Sequence, residues 1–314
     1  MANPNPVIYE DNPFNVLIND SNDDPTQIQA RYETHRVNRN AQQREKILAD
    51  DFPGWTLDTI LRRLDGPAKE EGFVDPRNCL VFWARPPPHI REVVAVVQNE
   101  LKAVAPSLWL MPQPNLHTTV LEVAHSLTES EIASLVQTLK SSEKVTQQII
   151  SDYPLTHQSR LLRPMVSFDA SALALSFAPA AEENQTQSHG ESSAKPLDPR
   201  YTYHHLRRDV FDLVRQTGLP VASRYIAPSA HVTIARFINH DGFEAQGQDG
   251  AKKVDSERVK MLMERIESVN ATLRSKYWPR EDGSCAREGE WIVGQEGGLV
   301  VRRGRLWYGD GEDV

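Results

Sequence analysis

The chain has 314 residues, of which 35 are Lys or Arg and 43 are Asp or Glu, so its net charge at pH 7 is −8. Such a chain lacks the broad positive surface that binds long double-stranded nucleic acid, and we expect no such partner. No stretch approaches the roughly 20 apolar residues of a membrane helix, so we expect no membrane partner either. The first residues show no signal-peptide pattern, which predicts an intracellular protein, cytoplasmic or nuclear.

The chain contains two cysteines, Cys79 and Cys285. Two such distant cysteines form neither a disulfide framework nor a metal-ligand spacing, and we interpret them as free thiols in a reducing compartment. No other residues show the spacing of a metal site. The sequence therefore predicts no metal and no cofactor.

Residues 1–70 are predicted to form a tail and a helical arm, disordered in part. Up to about residue 25 the chain is rich in Asn, Asp and Pro, which is typical of a mobile tail. Residues 26–49 are good helix formers, but their apolar positions are too sparse for a buried helix. The arm either covers the core or binds a protein partner, which the sequence does not identify.

Residues 71–314 are predicted to form one domain of two lobes, 71–179 and 199–314, separated by a disordered polar loop at 180–198. Apolar runs, helical spacing and a capping box opening at Thr128 mark the elements. In chain order these are a strand at 79–84, a helix at 89–104, strands at 108–111 and 116–123, a helix at 128–150, strands at 165–168 and 172–177, a helix at 201–217, a strand at 225–237, a helix at 256–278, and a terminal hairpin formed by 291–293 and 298–308.

Two of the predicted strands carry the same short motif. It reads His117-Thr-Thr-Val in the first lobe and His231-Val-Thr-Ile in the second. Alternate side chains of a strand share a face, so Thr119 projects with the first histidine and Thr233 with the second. If the two strands are neighbours, two imidazoles and two hydroxyls meet in one small space.

This set of groups suits phosphoryl chemistry. Imidazole titrates near neutrality, so one histidine can accept a proton from an attacking oxygen while the other protonates the leaving oxygen. Threonine hydroxyls can donate hydrogen bonds to non-bridging phosphate oxygens. Sequence alone does not tell which histidine is the base.

At these two motifs the chain resembles the two-histidine (2H) phosphoesterase superfamily, which includes RNA cyclic phosphodiesterases and 2′-5′ RNA ligase-like proteins. The resemblance implies an α+β, bilobal fold with two pseudo-symmetric lobes, antiparallel sheets lining a central cleft, and helices outside. It also implies a metal-independent phosphodiesterase acting on a cyclic phosphate or phosphodiester of a nucleotide or RNA end. His117 and His231 would be catalytic, and Thr119 and Thr233 would bind the phosphate.

Four further residues bear on the same site. Tyr225 lies just before the second motif, and we expect its ring to contribute to substrate binding in the cleft. Arg236 has the opposite strand parity to the second motif and is expected to face away. His204 and His205 lie on a predicted helix without the i, i+4 spacing of a metal pair, and we interpret them as solvated surface.

Two other functions stay open. The same fold can be a non-catalytic module that binds a nucleotide or a protein, and retained nucleotide affinity without product would identify it. The chain can also be an unrelated α/β protein in which both motifs occur by chance. A separation of the two histidines well beyond about 10 Å would favour that reading, because one phosphate must be within reach of both.

Overall fold

The computed structural model describes residues 8–181, 183, 197–246, 252–306 and 311–314. The helices in this part of the chain are α1 (Asn15–Asp20), α2 (Pro25–Ile47), α3 (Leu61–Leu64), α4 (Pro88–Val104), α5 (Glu129–Ser141), α6 (Gln147–Thr156), α7 (Tyr203–Gln216) and α8 (Ser256–Tyr277), with single 3-10 turns at Gln113–Asn115 and Arg287–Gly289. The strands are β1 (Asn78–Ala84), β2 (Trp109–Leu110), β3 (Thr118–Leu127), β4 (Ser159–Phe168), β5 (Ala172–Pro179), β6 (Ala230–Arg236), β7 (Glu244–Gln246), β8 (Lys252–Val254), β9 (Trp291–Val293), β10 (Val300–Gly304) and β11 (Glu312–Asp313).

Nine of these strands form one curled antiparallel sheet in the order β11-β10-β1-β3-β6-β5-β4-β9, with β2 pairing to β6. The remaining two, β7 and β8, form a small hairpin. Helices and antiparallel strands are mixed in this way in α+β folds. The α+β class predicted from the sequence is confirmed.

The two motif strands, β3 and β6, are neighbours in the middle of the sheet and pair at Thr118 and Val232. On one side of this pair lie β1, β10 and β11; on the other lie β5, β4 and β9. Each side therefore takes strands from both predicted chain segments, 71–179 and 199–314. The pseudo-symmetry of two lobes stays a prediction.

The two faces of β1 point into different surroundings. Leu80, Phe82 and Ala84 belong to the main hydrophobic core, whereas Cys79, Val81 and Trp83 form a small separate cluster with Leu306. Alternation of side chains along a strand produces this division. The small cluster lies on the face that carries the histidines.

Helix α2 packs against the core, which is one of the two alternatives left open for the arm, but the expectation that its apolar positions are too sparse for a buried helix was wrong. Its buried positions follow one face, Ile28, Tyr32 and Arg36, at the i, i+4, i+8 spacing of a helix. Asn40 extends this row, because its amide donates to the carbonyl of Val166 and accepts from the N–H of Phe168. Polar side chains that bond to sheet carbonyls thus replace apolar ones along the stripe, and this is why apolar spacing alone did not predict burial.

His204 and His205 are buried, so their interpretation as solvated surface was wrong. His204 accepts from the Tyr32 hydroxyl at 2.9 Å and donates to the Phe14 carbonyl at 2.9 Å. His205 lies 2.7 Å from a carboxylate oxygen of Asp23. Since all three partners belong to the N-terminal segment, the histidines are covered by residues far away in sequence, which helix periodicity within α7 does not reveal.

Two element predictions are corrected. The helix predicted at 128–150 is two helices, because Thr146 caps a new one by accepting from the N–H of Ile149. The predicted terminal hairpin was also wrong: β9 pairs with β4, whereas β10 pairs with β1. The predicted disordered loop at 180–198 lies mostly outside the described residues. None of the helices in the described ranges is long and apolar enough to cross a membrane.

Candidate active site

A cavity opens on the sheet where β1, β3 and β6 lie side by side, and we call it the histidine cavity. All five residues that the sequence predicted for the site line it. Its lining comprises Cys79, Val81, Trp83, Met111, His117, Thr119, Glu122, Tyr225, His231, Thr233, Arg236 and Leu306. The structure thus brings the predicted residues together, whereas their chemical roles stay predictions.

The β3–β6 register explains how the two motifs meet. Because Thr118 pairs with Val232 in an antiparallel ladder, Thr119 is opposite His231 and His117 is opposite Thr233. The two histidines are therefore diagonal neighbours on one face, a relationship that corresponds to about 7–8 Å in an ordinary sheet. A single phosphate group between them is within reach of both.

His117 is held on two sides. Its Nδ1 lies 2.7 Å from the Asn115 carbonyl oxygen, and its ring stacks on Trp83 with centroids 3.7 Å apart. Arg85 fixes the preceding loop by donating to the carbonyls of Pro114 and Leu116. Burial lowers the pKa of His117 to about 3, and the positive charge of Arg85 contributes. The imidazole is therefore neutral at pH 7.

His231 has a different hydrogen-bond partner at Nδ1. Its Nδ1 lies 2.9 Å from the Ser229 hydroxyl, which can either donate or accept. Burial lowers the pKa of His231 to about 4, and the nearby guanidinium groups of Arg207 and Arg39 lower it further. In the free protein this imidazole is also neutral at pH 7.

The predicted binding residues surround the histidines. Thr119 and Thr233 are half-buried, and their side chains face the cavity from the two strands. The ring of Tyr225 is half-buried, with its centroid 6.1 Å from that of His231. Burial, and next the Glu122 carboxylate, raise the pKa of the Tyr225 hydroxyl, so it stays protonated and can donate. These three side chains offer hydroxyl donors to an anion in the cavity.

Arg236 faces the cavity, so its predicted outward orientation was wrong. The register of β6 against β5 shifts between Thr233 and Ala235, which pair with consecutive residues of β5. Ile234 is thus the extra residue of a β-bulge, and the bulge reverses the parity of the residues after it. As a result Arg236 shares the face of His231 and bonds to Asp58 at 3.3 Å.

Glu122 also lies on the cavity face because of a β-bulge. In the β1–β3 register, Trp83 pairs with Thr119, Phe82 with Leu121 and Val81 with Glu122. The residue skipped between the first two pairs places Glu122 on the cavity face. Its carboxylate is buried and bonds to Arg224 at 2.7 and 3.0 Å. The sequence reading missed this residue because strand bulges have no reliable signal in a single sequence.

A larger groove of about 360 Å³ continues from the histidine cavity, and we call it the arginine groove. Both spaces share Thr119, Tyr225, His231, Thr233 and Arg236. The groove is also lined by Arg36 and Arg39 of α2, by Arg207 of α7, by Arg224, and by hydroxyl groups of Ser167, Ser171, Ser176 and Ser229. This is a local concentration of positive charge in a chain whose net charge is −8.

Among the described residues, no three His, Cys, Asp or Glu side chains cluster in a way that could hold a metal ion. Cys79 is buried, and burial raises the pKa of its thiol. We assign it no chemical role in the cavity.

Comparison with known proteins assigns no family to the chain. No family model matches the sequence, and no curated protein sequence matches it. The structure is similar to that of a conserved protein of unknown function from Agrobacterium tumefaciens str. C58, with a TM-score of 0.43 and 10% identity over 80% of this chain and 91% of that chain. It is also similar to Kluyveromyces marxianus Usb1, with a TM-score of 0.33 and 12% identity over 76% of this chain and 97% of that chain. A structure of that Usb1 with uridine monophosphate gives a TM-score of 0.34 at the same identity and coverage. At these scores the matches assign neither family nor function.

Proposed function

We propose that this protein is a two-histidine phosphodiesterase that needs no metal and acts on a cyclic phosphate or phosphodiester of a nucleotide or RNA end. The observation that carries the proposal is the convergence of His117, His231, Thr119 and Thr233 on one cavity face. In this proposal each of the two predicted lobes, 71–179 and 199–314, contributes one histidine and one threonine. The nucleotide is the substrate, and no long duplex is bound.

We assign the role of general base to His117. A carbonyl oxygen can only accept, so the contact with Asn115 requires the proton of the neutral ring on Nδ1. The lone pair is then on Nε2, where it can take a proton from an attacking water. The same carbonyl stabilises the imidazolium that forms, because its hydrogen bond raises the pKa of His117 against the effect of burial.

His231 is then the general acid. The Ser229 hydroxyl adapts to either protonation state of its Nδ1, which a fixed carbonyl would not. Water attacks phosphorus, its proton passes to His117, and the bond from phosphorus to the 2′ or 3′ oxygen breaks. His231 gives its proton to that leaving oxygen, so the products are a phosphomonoester and a free hydroxyl. Thr119 and Thr233 donate to the non-bridging oxygens meanwhile.

The low pKa of His231 favours a second candidate function. With pKa about 4 in the free protein, a small fraction carries the proton that a general acid requires at pH 7. Phosphate binding adds a negative charge, which raises the pKa of a neighbouring imidazole. If that rise is too small, the cavity binds a nucleotide without turnover, and the protein is a nucleotide-binding module.

The test uses purified protein in EDTA with nucleoside 2′,3′-cyclic phosphates and a short RNA ending in one. His231→Gln is the inactive variant, and His157→Gln is the matched control. His157 is also the histidine of a His-x-Ser sequence, His157-Gln-Ser159, but it is exposed and stacks on Tyr153 rather than lining the cavity. Turnover that persists in His157→Gln and falls by about 10²–10⁴-fold in His231→Gln supports the proposal. Nucleotide binding without product, in the wild type, would instead identify the binding module.

A further inference from the structure

The floor of the arginine groove contains a buried cation. The side chain of Arg207 is 1% exposed, and it donates to the carbonyls of Val120 and Ala227 at 3.2 and 2.8 Å. Its guanidinium also lies 4.3 Å from the ring centroid of Phe14. Among the described residues no carboxylate forms an ion pair with it. These contacts satisfy the guanidinium but do not neutralise its charge, so an anion bound in the groove would be stabilised by Arg207.

A second cation lines the groove from helix α2. Arg39 of α2 is half-exposed, and Asp169 holds it at 2.7 Å. His35 lies one helical turn earlier on α2 and lines the same wall. Both Arg39 and Arg207 act on His231, since each lowers the pKa of that imidazole. Arg39, Arg207 and His231 also line the same groove, which continues into the cavity where the reacting phosphate would be bound.

The groove is continuous with the histidine cavity and has the size of a ligand site. Its volume of about 360 Å³ falls within the range of about 300–1,000 Å³ that holds small molecules. A substrate whose phosphorus lies between the histidines would extend its substituent along this groove. The hydroxyl groups of Ser167, Ser176 and Ser229 give the path a polar lining. The Ser176 hydroxyl donates to the Met165 carbonyl and bonds to Ser167.

We infer that the arginine groove binds a second phosphate group of the same substrate. This inference rests on the proposed function and narrows its substrate class. The second phosphate is either the next diester of an oligonucleotide or a terminal phosphate of a nucleotide. A mononucleoside cyclic phosphate without one would be the poorer substrate, because it offers the groove no second phosphate for Arg39 and Arg207 to bind.

Three substrates separate these sources: adenosine 2′,3′-cyclic phosphate with a free 5′-hydroxyl, the same compound with a 5′-phosphate, and a diadenosine dinucleotide with a 2′,3′-cyclic phosphate and a 5′-hydroxyl. We expect kcat/KM to be at least about 10-fold higher for one or both of the compounds with two phosphates, since a charge-assisted hydrogen bond contributes that much. Preference for the dinucleotide would identify an internal diester, and preference for the 5′-phosphate a terminal one. Equal values for all three compounds would overturn the inference.

The matched pair of variants is Arg39→Gln and Arg44→Gln. Both arginines lie on α2, have about half of their side chains exposed and bond to a carboxylate, Asp169 or Glu267, but Arg44 does not line the groove. We expect Arg39→Gln to reduce the preference for the compounds with two phosphates about 5- to 20-fold, whereas Arg44→Gln keeps it. The same preference in both variants would contradict a role for this wall. Arg207→Gln, checked for folding by circular dichroism, tests in the same way whether Arg207 at the floor of the groove contributes to this preference.

Failure of the proposed function gives a different pattern. If the wild type turns over none of the three compounds, each is titrated into it instead. About 10-fold tighter binding of a compound with two phosphates, reduced in Arg39→Gln, would support the groove without the enzyme. Equal affinities would overturn the inference.

Discussion

Thr118 of β3 pairs with Val232 of β6, and each of these residues lies between the histidine and the threonine of its motif. The pairing places Thr119 opposite His231 and His117 opposite Thr233. Each histidine thus has the other motif's threonine as its cross-strand neighbour. The Nδ1 atoms of the two imidazoles have different hydrogen-bond partners, a carbonyl for His117 and a hydroxyl for His231. The first prediction follows from this difference.

The two histidine variants are expected to respond differently to the leaving group. A 4-nitrophenyl ester of a 2′-deoxynucleoside 3′-phosphate has no neighbouring 2′-hydroxyl, so water must attack its phosphorus. The oxygen that it releases needs no proton, so the general acid is dispensable for it. We expect His231→Gln to lose about 10²–10⁴-fold on a cyclic phosphate but to keep most activity on the nitrophenyl ester. His117→Gln should lose activity on both, because the base is needed in each case. Release of nitrophenolate, followed by absorbance, measures this; the reverse pattern would exchange the two roles.

Activity should fall as the pH rises, and the fall in kcat/KM should begin at acidic pH. In the free protein the pKa of His117 is about 3 and that of His231 about 4. Since kcat/KM reports the free enzyme, it should fall about tenfold per pH unit above pH 4 to 5, as protonated His231 becomes rarer. The limb of kcat should lie at higher pH, because the bound phosphate anion favours imidazolium. Rate profiles between pH 4.5 and 8 measure both; a kcat/KM limb at or above pH 6.5 would contradict the prediction.

Removing the charge of Arg39 tests whether His231 determines this pH profile. Its positive charge lowers the pKa of His231, so Arg39→Gln should move the kcat/KM limb to higher pH. Arg44→Gln removes the same charge from the same helix, at a residue that does not line the groove. Its limb should coincide with that of the wild type.

The motif residues were predictable because short-range parity fixes them. His117 and Thr119 are two residues apart, as are His231 and Thr233, and no bulge lies between the histidine and the threonine of either motif. The element boundaries followed from apolar spacing and caps in the same way, as in α4 and α8. These features depend on a few consecutive residues.

Residues after a bulge were not predictable in this way. Ile234 is skipped in the pairing of β6 with β5, so the face of Arg236 depends on the partner strand. The arginine groove depends still more on contacts between residues that are distant in sequence. Helix α2 is held on the sheet by such contacts, for example the hydrogen bond from Asn40 to Val166, which are more than 100 residues apart. Neither relationship leaves a periodic signal in the sequence.

Arg236 is expected to matter for substrate binding although sequence parity placed it outside the site. Its guanidinium lines both the cavity and the groove, where it can donate to a phosphate oxygen. We expect Arg236→Met to lower kcat/KM about 10- to 100-fold. Asp58→Asn removes the ion pair of Arg236 but keeps the cation, so it should lower kcat/KM much less. Equal losses in the two variants would indicate that the ion pair, and not the contact with substrate, is what matters.

The docking of the N-terminal helices should make the protein sensitive to acid through His204. Burial lowers the pKa of His204 to about 3, against 6.5 for an unperturbed imidazole. The unfolded chain therefore binds a proton near pH 6.5 that the folded protein does not accept until about pH 3. The contribution of neutral His204 to the free energy of unfolding is fully present above pH 6.5. It is lost as the pH falls toward 3, with a slope of up to about 1.4 kcal/mol per pH unit.

His204→Gln removes that titration and should flatten the decline of the free energy of unfolding between pH 6.5 and 4. The variant should also be less stable at pH 7, because the hydrogen bonds to Tyr32 and Phe14 change. Urea unfolding at pH 7, 6, 5 and 4 measures both effects, with His157→Gln as the exposed control. The slope that remains in His204→Gln belongs in part to His117 and His231, which are also kept neutral by burial. If His204→Gln and His157→Gln decline with the same slope, protonation of His204 is not what couples acid to unfolding.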